Sequence, residues 1–415
     1  MRLDALTSSA AAWEGLRAVV AGIGVSGFAA ADALVERGAR VVVLDAADGQ
    51  DQRERAVVLD TLGAQVRLGP DAVAALPEVA GAAPDVVVTS PGWRPDHPVL
   101  AGAAAAGVPV WSEVELAWRM RAPSGAAPWL AVTGTNGKTT TVTMLASILA
   151  AAGYRTAAVG NAGTPVLEAV LHPQPFDVLA VELSSFQLHS TSSMRPRASA
   201  CLNVAPDHLD WHGSLEAYAR DKGRVYGNTE IACVYNVADP VTEQLVRDAD
   251  VIEGCRAIGF TLGVPSVSMV GLVDEVLADR AFVEERRTSA AELATLEDVR
   301  LGNGGVLAPH VVANALAAAA LARAHGVPAV AVRDGLRGFT PPAHRLAPAG
   351  EADGVTWVDD SKATNPHAAD AALRGFEHIV WVAGGLAKGA GPAEFDELVR
   401  AHGRRLRAAV LIGRD

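Results

Sequence analysis

Cysteine is scarce in this chain. Cys201, Cys233 and Cys255 are too few for a disulfide scaffold and too widely spaced for a CxxC metal or redox motif. That excludes a small oxidised secreted domain and suits a reducing, cytoplasmic setting. Positive charge is not in excess either. A net charge of -12 argues against a general nucleic-acid or membrane-surface binder, so an anionic ligand must be met by local lysines, arginines and helix N-termini. No long apolar run is present: the alanine-rich stretch from Ala313 to Ala324 is interrupted by Asn314 and Arg323, and the N-terminus lacks the basic, apolar and small-residue succession of a signal peptide. No membrane insertion is expected. Low-complexity tracts and short-period repeats are likewise missing.

What is present is apolar material for several cores. Half of the 415 residues are hydrophobic, and a chain of this length suits two or three domains. The first third alternates strand and helix signals: Arg17 to Ala21, a glycine turn, Phe28 to Arg37, then the β-branched run Arg40 to Asp45. This is a βαβ unit and predicts a parallel sheet. A buried strand at Asp85 to Thr89 runs into Ser90-Pro91-Gly92, and the break Arg121 to Pro128 reads as a linker. A second unit runs through strands Val178 to Glu182 and Ala198 to Val204 to Phe339-Thr-Pro-Pro342, where two prolines mark another linker. The third segment shows strand Val355 to Asp359, helix Pro366 to Arg374, strand His378 to Ala383, a helix near Glu394 to His402 and strand Ala408 to Ile412. It reads as another doubly wound α/β unit, incomplete because the chain stops directly after a strand. The expected architecture is therefore α/β in three domains, 1–124, 125–340 and 341–415.

The most informative motif is Ala131-Val-Thr-Gly134-Thr135-Asn136-Gly137-Lys138-Thr139-Thr140. An apolar strand, Trp129 to Val132, enters a glycine-rich turn that opens the helix Thr141 to Ala152. Glycines let backbone N–H groups approach phosphates, Lys138 supplies a point charge, the Thr139 hydroxyl can ligate Mg²⁺, and the helix N-terminus adds its dipole. The full pattern would place glycine at Val132, so this is the shorter Gly-Thr-Asn-Gly-Lys-Thr form. It points to a nucleoside triphosphate such as ATP.

Gly22-Ile-Gly24-Val25-Ser26-Gly27 lies between a strand and a helix, with Asp45 at the spacing of a ribose-binding acid. NAD, FAD and a uridine diphosphate sugar all fit this fingerprint; close helix packing is the bland alternative. Glu182 closes a strand after the phosphate loop, where it can hold Mg²⁺ or face solvent beside Ser184. Asp207-His208-Leu-Asp210-Trp-His212 gathers two carboxylates and two imidazoles; without paired cysteines or HExxH these favour Mg²⁺ over zinc. Lys222 follows. Beyond the second linker come His344-Arg345, Asp359-Asp360-Ser-Lys362-Ala-Thr364-Asn365 and Gly384-Gly385-Leu-Ala-Lys388, strand-end turns of the kind that bind anions.

Taken in order, these motifs resemble the Mur ligases, ATP-dependent amide-forming enzymes of peptidoglycan precursor synthesis, and span nearly the whole chain. The N-terminal Gly-x-Gly-x-Ser-Gly turn with Ser90-Pro91-Gly92 looks most like the branch that adds D-glutamate to UDP-N-acetylmuramoyl-L-alanine. The resemblance implies a Rossmann-like UDP-sugar domain, a central P-loop-type ATPase domain and a Rossmann-like C-terminal domain. It implies that Lys138, Glu182, His208 and Lys222 carry the chemistry, with Thr139, Glu182, His208 and a carbamylated Lys222 at Mg²⁺. ATP would meet residues 134–140 with Asn314, Arg345 and Asp360. The UDP-sugar would meet Gly22, Gly24, Val25, Ser26, Asp45, Ser90, Gly92 and Asn161, and D-glutamate or phosphate would meet Lys362, Thr364 and Lys388. A monomer is expected. The competing expectations are the L-alanine-adding branch, a folylpolyglutamate-type ligase, a silent nucleotide-binding fragment and, from another class, an NAD-dependent oxidoreductase.

Overall fold

The computed structural model describes residues 3–385 and 392–413. Strands Arg17–Ala21 (β1), Arg40–Asp45 (β2), Gln65–Leu68 (β3), Val86–Thr89 (β4) and Val110–Ser112 (β5) form a parallel sheet ordered β3-β2-β1-β4-β5. The valine-rich runs of β1, β2 and β4 are buried on both faces, as parallel strands covered by helices must be. The order reverses beside β1, so the turns after β1 and β4 open one crevice.

A second sheet is built from Trp129–Thr133 (β6), Thr156–Gly160 (β7), Val178–Glu182 (β8), Ala198–Cys201 (β9), Ala232–Asn236 (β10), Arg256–Phe260 (β11), Met269–Val273 (β12), Val276–Asp279 (β13) and Ala291–Thr295 (β14). Its order is β14-β13-β12-β11-β10-β9-β6-β8-β7, parallel from β12 to β7 and closed by an antiparallel meander at the other edge. Helix Lys138–Ala151 packs on it together with Pro309–His325, whose alanines from Ala315 to Ala320 are almost wholly buried. The alanine run is a packing surface that lets two helices and a sheet approach closely.

One hydrophobic core joins the two sheets. Trp13, Leu16, Val43, Leu116 and Trp118 belong to the same buried cluster as Trp129, Val159, Val181, Leu183 and Tyr226. Trp118 meets Trp129 edge to face at 4.9 Å across the expected linker. The break at Arg121 to Pro128 is thus a short bridge over a continuous core.

The third segment departs from expectation. Val355–Asp359 (β16) does not join a single doubly wound sheet: it pairs antiparallel with Ala347–Ala352 (β15). The turn between them is Asp353-Gly354, with φ of +52° and +76°, the left-handed pair that a two-residue hairpin requires. Ile379–Gly385 (β17) and Leu406–Gly413 (β18) form a separate parallel pair. Among the described residues only Leu373, Ile379 and Leu398 are buried in their cluster, and Val380, Val382, Val410, Leu411 and Ile412 stay exposed.

Candidate active site

The central sheet's order and register assemble the site. Val132 pairs with Glu182, Thr133 with Cys201, and Gly160 with Glu182, so the carboxyl ends of β9, β6, β8 and β7 lie side by side. Residues far apart in the chain thereby meet: Asn203, the 134–138 loop, Glu182 and Asn161.

The loop is held by a hydrogen-bond frame. The Thr135 N–H donates to the Asn203 carbonyl at 2.9 Å, and the Thr135 hydroxyl accepts from the Ala205 N–H at 3.0 Å and lies 3.1 Å from the Tyr218 hydroxyl. Asn203 closes the frame with its side chain, accepting from the Asn136 N–H at 2.8 Å and donating to the Asn136 carbonyl at 3.1 Å. Asn203 was absent from the sequence-derived residue set, although it opens the same stretch as His208. Gly137, at φ +87°, caps helix Lys138–Ala151. A Cβ there would stand 2.4 Å from Asn314 Oδ1, so the amide of Asn314 packs directly on the loop backbone. Thr139 and Thr140 occupy the first helical turn.

Two lysines converge on one carbonyl. Lys138 Nζ donates to the Gly134 oxygen at 2.9 Å and to that of Thr135 at 3.0 Å, while Lys222 Nζ donates to the same Gly134 oxygen at 2.8 Å. Lys222 is 1% exposed and lies over the Tyr218 ring at 4.4 Å. Burial, reinforced by the Lys138 charge, pushes its ammonium down to about 7; burial also lowers Lys138, which nearby Glu182 and Asp207 partly offset. The chain holds only four lysines, Lys138, Lys222, Lys362 and Lys388, against 31 arginines. Arginine supplies the other permanent cations, and all four lysines fall within the motifs already singled out. That scarcity was a legible signal for Lys222.

Glu182 is 2% exposed. Its Oε1 accepts from Asn161 Nδ2 at 3.0 Å, and its Oε2 is buried without a hydrogen-bond partner. An unpartnered buried carboxylate oxygen is costly and suits a hard cation. Among the described residues no three His, Cys, Asp or Glu side chains gather as a ready cage. Mg²⁺ does not require one, since it retains waters and takes phosphate oxygens from its nucleotide. The donor set of Glu182, the Thr139 hydroxyl and the phosphate loop therefore fits a magnesium nucleotide.

The Asp207 to His212 stretch divides in two. His208 is half-exposed, adopts the left-handed φ of +52° and lies 3.7 Å from Asp207 Oδ2; burial lowers its imidazolium pKa despite Asp207. His212 is turned to internal work, its Nδ1 3.0 Å from Asp221 Oδ2 and its Nε2 3.0 Å from Ser185 Oγ. Asp221 also meets His189 at 2.9 Å. Burial alone would raise the Asp221 carboxyl, but the two imidazoles hold it well below the carboxylate range.

In the first sheet, Gly22 takes φ +100°, and a Cβ on Gly27 would fall 1.9 Å from the Gly22 oxygen, so the glycine pattern lets the helix start against the turn. Val25 and Ser26 open that helix after its cap at Gly24, and Gly92 follows β4 at φ +97°. Asp45 holds the turn itself, accepting from the Ile23 and Ala47 N–H groups at 2.9 Å each. From the third segment, Arg345 Nη2 donates to the Thr139 hydroxyl at 2.9 Å and Asn365 Nδ2 donates to Asn136 Oδ1 at 3.2 Å. Asp360 accepts from the Leu346 N–H at 3.0 Å, and burial lifts its carboxyl to about 6. Lys362 and Thr364 are exposed on the following loop, and Lys388 lies outside the described residues.

The chain belongs to the Mur ligase family: residues 132–322 match the Mur ligase middle domain, and residues 16–112 match the MurD-like N-terminal domain of Mur ligases. Among its relatives, the UDP-N-acetylmuramoylalanine–D-glutamate ligase of Streptomyces avermitilis is 60% identical over 97% of this chain and 83% of its own length. The enzyme of that name from Thermobifida fusca is 53% identical over the same shares. Among solved structures, MurC of Thermotoga maritima aligns at TM-score 0.54 and 20% identity over 96% of this chain and 91% of its own. MurF of Acinetobacter baumannii aligns at 0.57 and 18% over 89% and 81%. These structures share the fold.

Proposed function

We propose that the chain is an ATP-dependent ligase that joins D-glutamate to UDP-N-acetylmuramoyl-L-alanine in the synthesis of peptidoglycan precursors. The observation that carries the chemistry is the unpartnered Glu182 oxygen beside Asn161, at the same carboxyl end of the sheet as the lysine-bearing phosphate loop. In this reading the alanyl carboxylate attacks the γ-phosphorus of ATP, the bond to the ADP oxygen breaks, and an acyl phosphate forms. The D-glutamate amine then attacks the acyl carbon, phosphate departs, and the amine sheds a proton to leave the amide.

The chain's residues bind and neutralise. Lys138 would turn from the Gly134 and Thr135 carbonyls to the transferring phosphoryl charge, joined by the N–H groups of the helix N-terminus that it opens, and Arg345 adds a cation beside Thr139. Glu182, Thr139 and His208 are the side chains to hold Mg²⁺, which when bound supplies Lewis-acid stabilisation of phosphate oxygens. Lys222, depressed to about 7, carries a neutral fraction able to add CO₂. An N–C bond forms, a proton leaves, and the resulting carbamate replaces a cation that repels Lys138 with an anion that attracts it. Asn314 and Asp360 would serve the adenosine, Asn161 the substrate end, and Lys362, Thr364 and Lys388 phosphate or glutamate. Gly22, Gly24, Val25, Ser26, Asp45, Ser90 and Gly92 would receive the UDP-sugar. We further propose three domains at 1–124, 125–340 and 341–415, the first two sharing one core, a monomer, and a cytoplasmic setting.

Phosphate release tests the reading. It is expected only when ATP, Mg²⁺, UDP-N-acetylmuramoyl-L-alanine and D-glutamate are all present. Release with L-alanine and the alanine-free UDP-sugar would move the assignment to the L-alanine-adding branch, and binding of NADH alone would overturn the ligase reading.

A further inference from the structure

Two loops from different sheets are fastened together beside the site. Arg94, four residues past Ser90 on the turn after β4, donates from Nη1 to the Asp210 carbonyl at 2.7 Å. Its Nε and Nη2 are forked on Asp96 at 3.0 and 3.3 Å, which fixes the plane of the guanidinium. In the return direction Trp211 Nε1 donates to the Trp93 carbonyl at 3.2 Å. The loop that receives these bonds has little structure of its own. His208 sits at φ +52°, the following helix Leu209–His212 is a single turn, and Gly213 ends it at φ +82°. A non-glycine residue in that region is held only by surrounding contacts. Close packing does not hold the loops apart or together, because a cavity of about 170 Å³ lies between them, lined by Ser90, Trp93, Phe186, His189 and Trp211 among others. Phe186 meets both His208 and Trp211 at 4.9 Å, so a shift of Trp211 reaches the His208 ring.

We infer that Arg94 and Trp211 are positioning residues that couple occupancy of the Ser90–Gly92 turn to the placement of His208. This rests on the reading that Ser90 and Gly92 meet the UDP-sugar and His208 the magnesium nucleotide. Ordering the turn after β4 with one ligand draws the Asp210–Trp211 backbone into register, and His208 arrives already placed for the other. Linkage makes the effect reciprocal, so each ligand tightens the other by the same factor.

The test is calorimetry on the full chain with Mg²⁺ and a non-hydrolysable ATP analogue, with and without saturating UDP-N-acetylmuramoyl-L-alanine. The wild type is expected to bind the analogue about five-fold or more tightly with the UDP-sugar present. In Arg94→Ala and in Trp211→Phe, which keeps a ring against Phe186 and removes the indole N–H donor, that ratio is expected to fall toward one while each ligand alone binds as before. A purely structural role would lower melting temperature or individual affinities and leave the ratio in place, which overturns the inference. Independent binding of both ligands by the wild type overturns it too, leaving the functional reading intact; a wild type that binds neither ligand overturns both.

Discussion

The junction between the first and second sheets and the junction between the central sheet and the third segment are built on opposite principles. The first is a shared interior, in which Trp118 and Leu116 lie in one buried cluster with Trp129, Val181 and Tyr226. The second combines polar contacts, Arg345 to Thr139, Asn365 to Asn136 and His310 to the Ala371 carbonyl, with a smaller apolar contact in which Leu346 is buried and Val358, Ala372 and Phe376 pack against the central core. Burial of large apolar side chains is worth several times a single exposed hydrogen bond. The first junction therefore fixes the turns after β1 and β4 relative to the phosphate loop, whereas parting the second would uncover, among the described residues, only Leu346 and the partly buried Val358, Ala372 and Phe376. Its connecting residues His344 and Leu346 take φ of +65° and +48°, so the chain turns sharply just where the third segment leaves.

That contrast is open to attack from each side. Trp118→Ala should have the largest effect on stability, about 3–5 kcal/mol, because it opens a cavity in the shared core. Thermal unfolding should stay one transition at lower temperature; two separated transitions would mean that the sheets do not share a cooperative core. Lys222 probes the rigid half by pH. Its folded pKa, about 7, lies below its unfolded value, so between pH 7 and about 10.5 the unfolded chain binds more protons and this residue's contribution to stability rises with pH. In CO₂-free buffer Lys222→Met should stabilise the protein at and below pH 7, by an amount on the order of a few kcal/mol that shrinks toward pH 10. An advantage independent of pH in denaturant titrations would refute the buried ammonium.

Lys138→Ala should slow phosphoryl transfer by about 10²–10³-fold while calorimetric binding of the UDP-sugar is retained, since the turns proposed for that ligand lie on the other sheet. Unchanged turnover would remove the phosphate-loop assignment. Arg345→Ala addresses the sparse junction: stability should change by about 1 kcal/mol or less, yet turnover should fall at least about ten-fold with UDP-sugar affinity unchanged. A loss of stability comparable to Trp118→Ala would erase the distinction between the junctions.

The strands of both large sheets were readable because continuous apolar runs bounded by glycine turns identify buried parallel strands, and β1, β2 and β8 fall where the periodicity placed them. The hairpin β15–β16 was missed although Asp353-Gly354 is a turn signal, because Ala347-Pro-Ala-Gly-Glu-Ala lacks the β-branched residues by which strands are recognised. The phosphate loop was readable as a local motif. The roles of Asn203, His212 and Asp221 were not, since a side chain's partner at a sequence distance of 9 to 67 residues leaves no local pattern.

Short-range chemistry was therefore determined by the sequence itself: where the backbone must admit phosphate, where an amine rather than a guanidinium stands, and which runs must be buried. Distribution of those groups in space was decided by tertiary structure. Strand order β9-β6-β8-β7 brings Glu182 to the phosphate loop, and burial turns Lys222 from a surface cation into an amine near neutrality. The physical reason is that hydrogen-bonding propensity and backbone freedom are properties of a residue, whereas desolvation and proximity belong to its surroundings and exist only once the chain has folded.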